Sequence, residues 1–221
     1  MNDTEKLAKV LSQTFGKVKC RKDYGWSNPA LNVLDCVLSL NRAYYSFVVP
    51  RIESFSEKNP TVSGLRDLYR LIKKYHTPLA FSVKELRYND RERALTLIGV
   101  VRFLLRVQNR YTMKNEQARL HAWALSAKPA DLDDLGVPGF GLAGFQYMRM
   151  LFGAQTVKPD VHIKRFVAEV IGRPVNDLTA LTMLEQAARR KKLLIREVDG
   201  AIWRSRALKR RTSPKKWRTA D

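Results

Sequence analysis

Cysteine is scarce: the 221 residues contain two, Cys20 and Cys36, at no paired ligand spacing. A zinc site or a four-cysteine iron–sulfur cluster therefore cannot be built from this chain alone. Cys36, inside the apolar run 31–40, is expected to be a small buried residue. Acidic side chains are also outnumbered, 21 Asp and Glu against 41 Lys and Arg, for a formal charge of +20 and a pI near 10.3. That excess points to a polyanionic partner rather than a small neutral substrate, with DNA, RNA and anionic membranes all open. No apolar run approaches the length of a spanning helix, and the polar, mixed-charge start Met1 to Val10 has no signal-peptide core. The expectation is a soluble intracellular protein, cytoplasmic or associated with nucleoid or nuclear DNA. Of the three histidines, His76 and His121 have no metal-ligand neighbours at useful spacing, and no metal is expected.

Alternation of apolar and polar residues is missing too, which favours an all-α class over mixed α and β. What is present is helical periodicity. Asp3-Thr4 with Glu5 can start a first helix through Thr14, carrying Leu7, Val10, Leu11 and Phe15 on one face and ending at Gly16. Ser27-Asn28-Pro29 starts a helix with Leu31, Leu34, Val37 and Leu38 in phase before Asn41, and a further helix runs to about Phe55. Leu65, Leu68, Leu71 and Ile72 mark another, ended by His76-Thr77-Pro78. Arg91 to Tyr111 and Glu116 to Ala127 follow, with Trp123 and Trp203 on apolar faces. The tail 204–221 is densely basic and is expected to fray, or to order on a phosphate backbone.

The most informative stretch is Leu135 to Val170. Val137-Pro138-Gly139-Phe140-Gly141 is a tight turn whose glycines let the backbone approach a phosphate and present amide N–H groups at the start of the next helix. Nineteen residues beyond Gly141, Asp160 opens the run Asp160-Val161-His162-Ile163-Lys164-Arg165. An aspartate there can cap the helix or do chemistry.

This pairing resembles the helix-hairpin-helix DNA glycosylase superfamily, which includes endonuclease III. Its hairpin is similar to Val137 to Gly141, and its catalytic aspartate falls on Asp160. The resemblance implies an all-α, two-lobed fold with a cleft between the lobes. One lobe would come from 1–59 and 176–203, and a six-helix lobe with the hairpin (135–153) from 60–175. It also implies base flipping followed by hydrolysis of the N-glycosidic bond. Loss of a base leaves a sugar with oxocarbenium character, so the site needs a negative charge and a placed water, and Asp160 would serve both needs.

Members that also cut the backbone use a hairpin lysine two residues past the second glycine. That position is Ala143 here, which implies a monofunctional enzyme with weak or absent lyase activity. Lys158 is the nearby amine, and phosphate or solvent contact is its ordinary reading. DNA contacts are expected from Gly139, Gly141 and Ala143, from Lys158, His162 and Lys164, and from Asn41 or Arg42. Those last two stand in the run Leu38 to Arg42, which is similar to the family's wedge motif but lacks its glutamine; a plain polar turn is the alternative. Tyr24, Trp26, Tyr44 and Tyr45 are base-pocket candidates, or core. The resemblance suggests no cofactor beyond a monovalent cation at the hairpin. The expected partner is double-stranded DNA, bound by a monomer without a membrane. The rival from another class is a non-catalytic protein of the same fold that senses DNA structure.

Overall fold

The computed structural model describes residues 1–17 and 24–212, with side chains described as far as Arg206. Among these residues there is no strand, and the fold is all-helical. The helices are α1 (Asp3–Phe15), α2 (Pro29–Leu38), α3 (Val49–Lys58), α4 (Leu65–Lys73), α5 (Pro78–Leu86), α6 (Arg91–Gln108), α7 (Glu116–Ser126), α8 (Leu142–Leu151), α9 (Val161–Ile171), α10 (Asp177–Arg190) and α11 (Ile195–Thr212). A π-helix, Tyr44–Val48, leads into α3, and a 3₁₀ turn, Pro129–Leu135, precedes the glycine turn.

Side-chain oxygens set many of the starts by accepting backbone N–H groups that the first turn leaves unpaired. Asn2 and Glu5 form a reciprocal box at α1, with Glu5 N–H to Asn2 Oδ1 at 2.9 Å and Asn2 N–H to Glu5 Oε2 at 3.0 Å. Asn28, Thr77, Asp90, Asn115, Asp160 and Asn176 cap α2, α5, α6, α7, α9 and α10. Helix α5 is not marked by apolar periodicity in the sequence. Thr77-Pro78 stops α4 but also supplies an N-cap and a first-turn proline for the next helix, so one signal carries both meanings.

The chain forms two compact units, Lys22–Gln155 and Met1–Arg21 with Thr156–Asp221. The resemblance groups 22–59 with the termini and 156–175 with the middle. In the structure α2 packs on α6 and α8, while α9 packs on α1, α10 and α11. Periodicity shows that a helix has an apolar face but not which partner covers it. In the larger unit α6 is the central element, packed by α2, α4, α5 and α7. Trp123 is buried there, with ring centroids of Phe103, Phe145 and Phe152 at 5.9, 6.0 and 6.4 Å. Cys36 is buried. In the smaller unit Phe15 meets Phe166 at 5.9 Å, and Trp203 is half-buried. Helix α11 continues through 204–212, the part of the tail expected to fray. Arg, Ala, Leu and Lys in that segment are strong helix formers. Residues 213–221 lie outside the described residues.

Gly153 closes α8 at φ 104°, and a Cβ there would lie 2.4 Å from His121 Nδ1. That ring nitrogen is 2.7 Å from the Phe152 carbonyl oxygen, which holds the ring in place. Gly153→Ala therefore meets backbone strain and a fixed neighbour together. It should lower the urea midpoint by the equivalent of about 2 kcal/mol or more at unchanged slope. A midpoint equal to that of the parent would refute this account of the turn.

Candidate active site

Asp160 stands at the start of α9 with one carboxylate oxygen committed. Its Oδ1 accepts the N–H groups of His162 at 2.8 Å and Ile163 at 3.2 Å, while Oδ2 makes no hydrogen bond among the described residues. The residue is half-buried. The turn before it is tight: Asp160 N–H donates to the Lys158 carbonyl at 2.7 Å, closing a three-residue turn on Pro159. Proline's fixed φ suits that geometry. Lys158 N–H in turn donates at 2.8 Å to Oδ1 of Asp199 on α11.

Asp199 is 6% exposed. Burial, and next the charge of Asp160, push its pKa from 3.8 up to about 8, against the smaller opposing effects of the Lys158 N–H and of the Lys158 and Arg204 cations. Both effects favour its neutral form over the charged one. Lys158 and His162 are half-buried on this same turn and first helical stretch. Lys164 is ion-paired with Asp177 at 2.7 Å, an exposed pair that a phosphate could replace cheaply.

In the other unit, Gly139 adopts φ 73°, the left-handed conformation that a side chain resists. Gly141 has an ordinary extended backbone and is the N-cap of α8, with no side-chain cap. Its glycine character leaves space: a Cβ there would meet nothing within 4 Å. The start of α8 is thus open, with Ala143 half-buried in its first turn. The carbonyls of Val137, Pro138 and Gly141 accept from Phe140 N–H, Thr96 Oγ1 and Phe145 N–H at 3.2, 3.0 and 3.0 Å.

Trp26, Tyr44 and Tyr147 converge on Asp35, a carboxylate 1% exposed inside α2. Trp26 Nε1 and Tyr44 Oη donate to its Oδ2 at 2.9 and 2.8 Å, and Tyr147 Oη donates to its Oδ1 at 2.9 Å. Burial, and then the charge of Asp35, raise the pKa of both tyrosines above the usual range. Tyr24 packs on the same core. Tyr45 meets Tyr44 edge to face at 5.4 Å and is 59% exposed. Beyond α2, Leu40 closes on α8, where a Cβ on Gly144 would stand 3.0 Å from it. Asn41 follows, exposed and left-handed at φ 59°, a conformation asparagine tolerates. The two wedge candidates separate here. Arg42 is engaged, its Nε donating to Tyr88 Oη at 3.1 Å and its guanidinium 3.6 Å from Asp90, whereas the Asn41 side chain makes no hydrogen bond among the described residues.

Residues 5–207 match a family described as a domain of unknown function, DUF8548. The chain belongs to the DUF8548 family. No curated protein and no solved structure matches it.

Within this DUF8548 domain the site candidates fall on both units. Lys158, Asp160, His162 and Lys164 lie in the smaller; Tyr24, Trp26, Asn41, Arg42, Tyr44, Tyr45, Gly139, Gly141 and Ala143 lie in the larger. Sequence reasoning missed Asp35, Tyr147 and Asp199. Asp35 had a signal, a charged residue inside an otherwise apolar run. Tyr147 and Asp199 had none, because nothing local says that a tyrosine on α8 or an aspartate on α11 meets a distant partner.

Asp199 makes stability pH-dependent. Its folded pKa is raised, so the native state holds a proton that the unfolded chain releases; its contribution is full below pH 3.8 and is lost as pH rises through about 8. Asp199→Asn should flatten the dependence of melting temperature on pH between 5 and 8 and gain on the parent most at the alkaline end. Parallel curves for the two proteins would contradict a buried neutral carboxyl.

Proposed function

We propose that this DUF8548 protein is a monofunctional DNA glycosylase with a two-lobed helix-hairpin-helix fold. It flips a damaged or mismatched base from double-stranded DNA and hydrolyses the N-glycosidic bond. The observation that carries the reading is the half-committed carboxylate of Asp160. One oxygen is fixed by two backbone N–H groups, which orients the group, and the other is available to a developing sugar cation or to the attacking water. The open start of α8 supports phosphate contact, and the +20 charge supports a polyanionic partner. Asn41 is the better wedge of the two candidates because Arg42 is already paired. Tyr45, 59% exposed, is the stacking candidate, whereas Trp26 and Tyr44 have their polar ends fixed on Asp35 and serve as wall.

Ala143 offers no amine, so no Schiff base forms there and the product is an intact abasic strand. The same capping bonds favour the second reading, a non-catalytic sensor of DNA structure, since they account for Asp160 without chemistry.

Incubation with a panel of modified duplexes, followed by hot alkali, separates the two. Strand breaks are expected only after alkali, with little borohydride-trapped adduct. Asp160→Asn keeps a competent N-cap, and should lose roughly a hundredfold or more in base excision with duplex affinity equal or tighter. Undiminished turnover by this variant would sink the catalytic assignment, and breaks without alkali would sink the monofunctional one.

Binding of unmodified duplex should weaken steeply with salt through counterion release. Removing residues 213–221, which carry Lys215, Lys216 and Arg218, should make that slope shallower. A flat salt dependence of the full chain would rule out electrostatic binding under either reading.

A further inference from the structure

We propose that Asp199 is a positioning residue for Asp160: by accepting the Lys158 N–H it clamps the Lys158-Pro159-Asp160 turn to α11 and fixes where the uncommitted oxygen of Asp160 points. This rests on the glycosylase reading. The geometry is a short relay within one unit. Asp199 Oδ1 holds Lys158 N–H at 2.8 Å, the Lys158 carbonyl holds Asp160 N–H at 2.7 Å, and Asp160 Oδ1 holds the first N–H groups of α9. Pro159, buried at the centre of the relay, removes the remaining freedom in φ. The turn is therefore held at both ends, by α11 on one side and by α9 on the other.

The choice of residue is what points to function. A single backbone N–H can be satisfied by a carbonyl, a serine or an asparagine with no ionisable group to desolvate. Here the fold buries a second carboxyl beside the first and keeps it protonated, a costly arrangement of the kind that clusters at reacting centres. The charged groups acting on Asp199 are Asp160, Lys158 and Arg204. A neutral Asp199 keeps the turn clamped without competing with Asp160 for the cations nearby.

The test compares Asp199→Asn, whose amide oxygen can still accept the Lys158 N–H, with Asp199→Leu, similar in size and unable to. Hydrogen exchange at the Lys158 amide reads the clamp without any substrate. Protection should persist in the asparagine variant and fall at least tenfold in the leucine variant, the melting transition of each confirming that it folds. Unchanged protection in Asp199→Leu would overturn the clamp.

On whichever modified duplex yields alkali-labile sites, single-turnover excision should stay within about threefold of the parent for Asp199→Asn. It should drop roughly a hundredfold for Asp199→Leu, the scale set by a misplaced reacting group, while affinity for unmodified duplex is unchanged in both. Parental excision by folded Asp199→Leu would overturn the positioning role. Equal losses in both variants would overturn it too, by showing that the carboxyl itself reacts. If no duplex in the panel is cleaved by the parent, the glycosylase reading falls on its own, and the exchange measurement still decides the clamp.

Discussion

Carboxyl groups taken out of water must be met by donors or give up their charge, and the architecture of this domain follows from how it answers that demand twice. Asp35 is met by donors. Trp26, Tyr44 and Tyr147 arrive from the segment before α2, from the π-helix and from α8, so one side chain ties three elements together. Removing the hub would leave an indole and two phenols without their acceptor in the interior, a larger penalty than the hydrogen bonds themselves contribute. The cluster also fixes the register between α2 and α8, reinforced where Cys36 Sγ meets the Gly144 carbonyl at 3.2 Å. The loop with Asn41 and the glycine turn before α8 are thereby held by the same core.

Asp199 meets the demand in the opposite way. Among the described residues one backbone N–H donates to it, and burial, then the charge of Asp160, favours its protonated form. The surroundings of Asp199, burial first, favour its neutral form, which is how environment lets a single residue type take separate roles at one pH.

The basic excess works on a different scale. Ion pairs such as Lys164 with Asp177 and Arg173 with Asp3, both at 2.7 Å, are exposed and contribute little to folding. With 41 Lys and Arg against 21 Asp and Glu, about half of the basic residues have no carboxylate to pair with one to one. Their collective field acts over the surface, toward a polyanion, while the few buried charges decide the local geometry.

Most of the helices, α5 excepted, were legible in the sequence. Asn28-Pro29, the apolar phase of α6 and the aspartate before Val161 each encode a start or a face within a few residues, because capping and amphipathicity are local. The net charge, the glycine turn at Gly139, the missing amine at Ala143 and the candidacy of Asp160 were local as well. Which helix covers which was not, so α2 and α9 joined units that periodicity could not name. Nor could the sequence say that Arg42 is occupied by Tyr88 and Asp90, that Tyr147 reaches Asp35 from 112 positions away, or that Asp199 closes on Lys158 from 41 away. Those are contacts between groups distant along the chain, and their protonation and availability follow from burial, which only the packed tertiary structure decides.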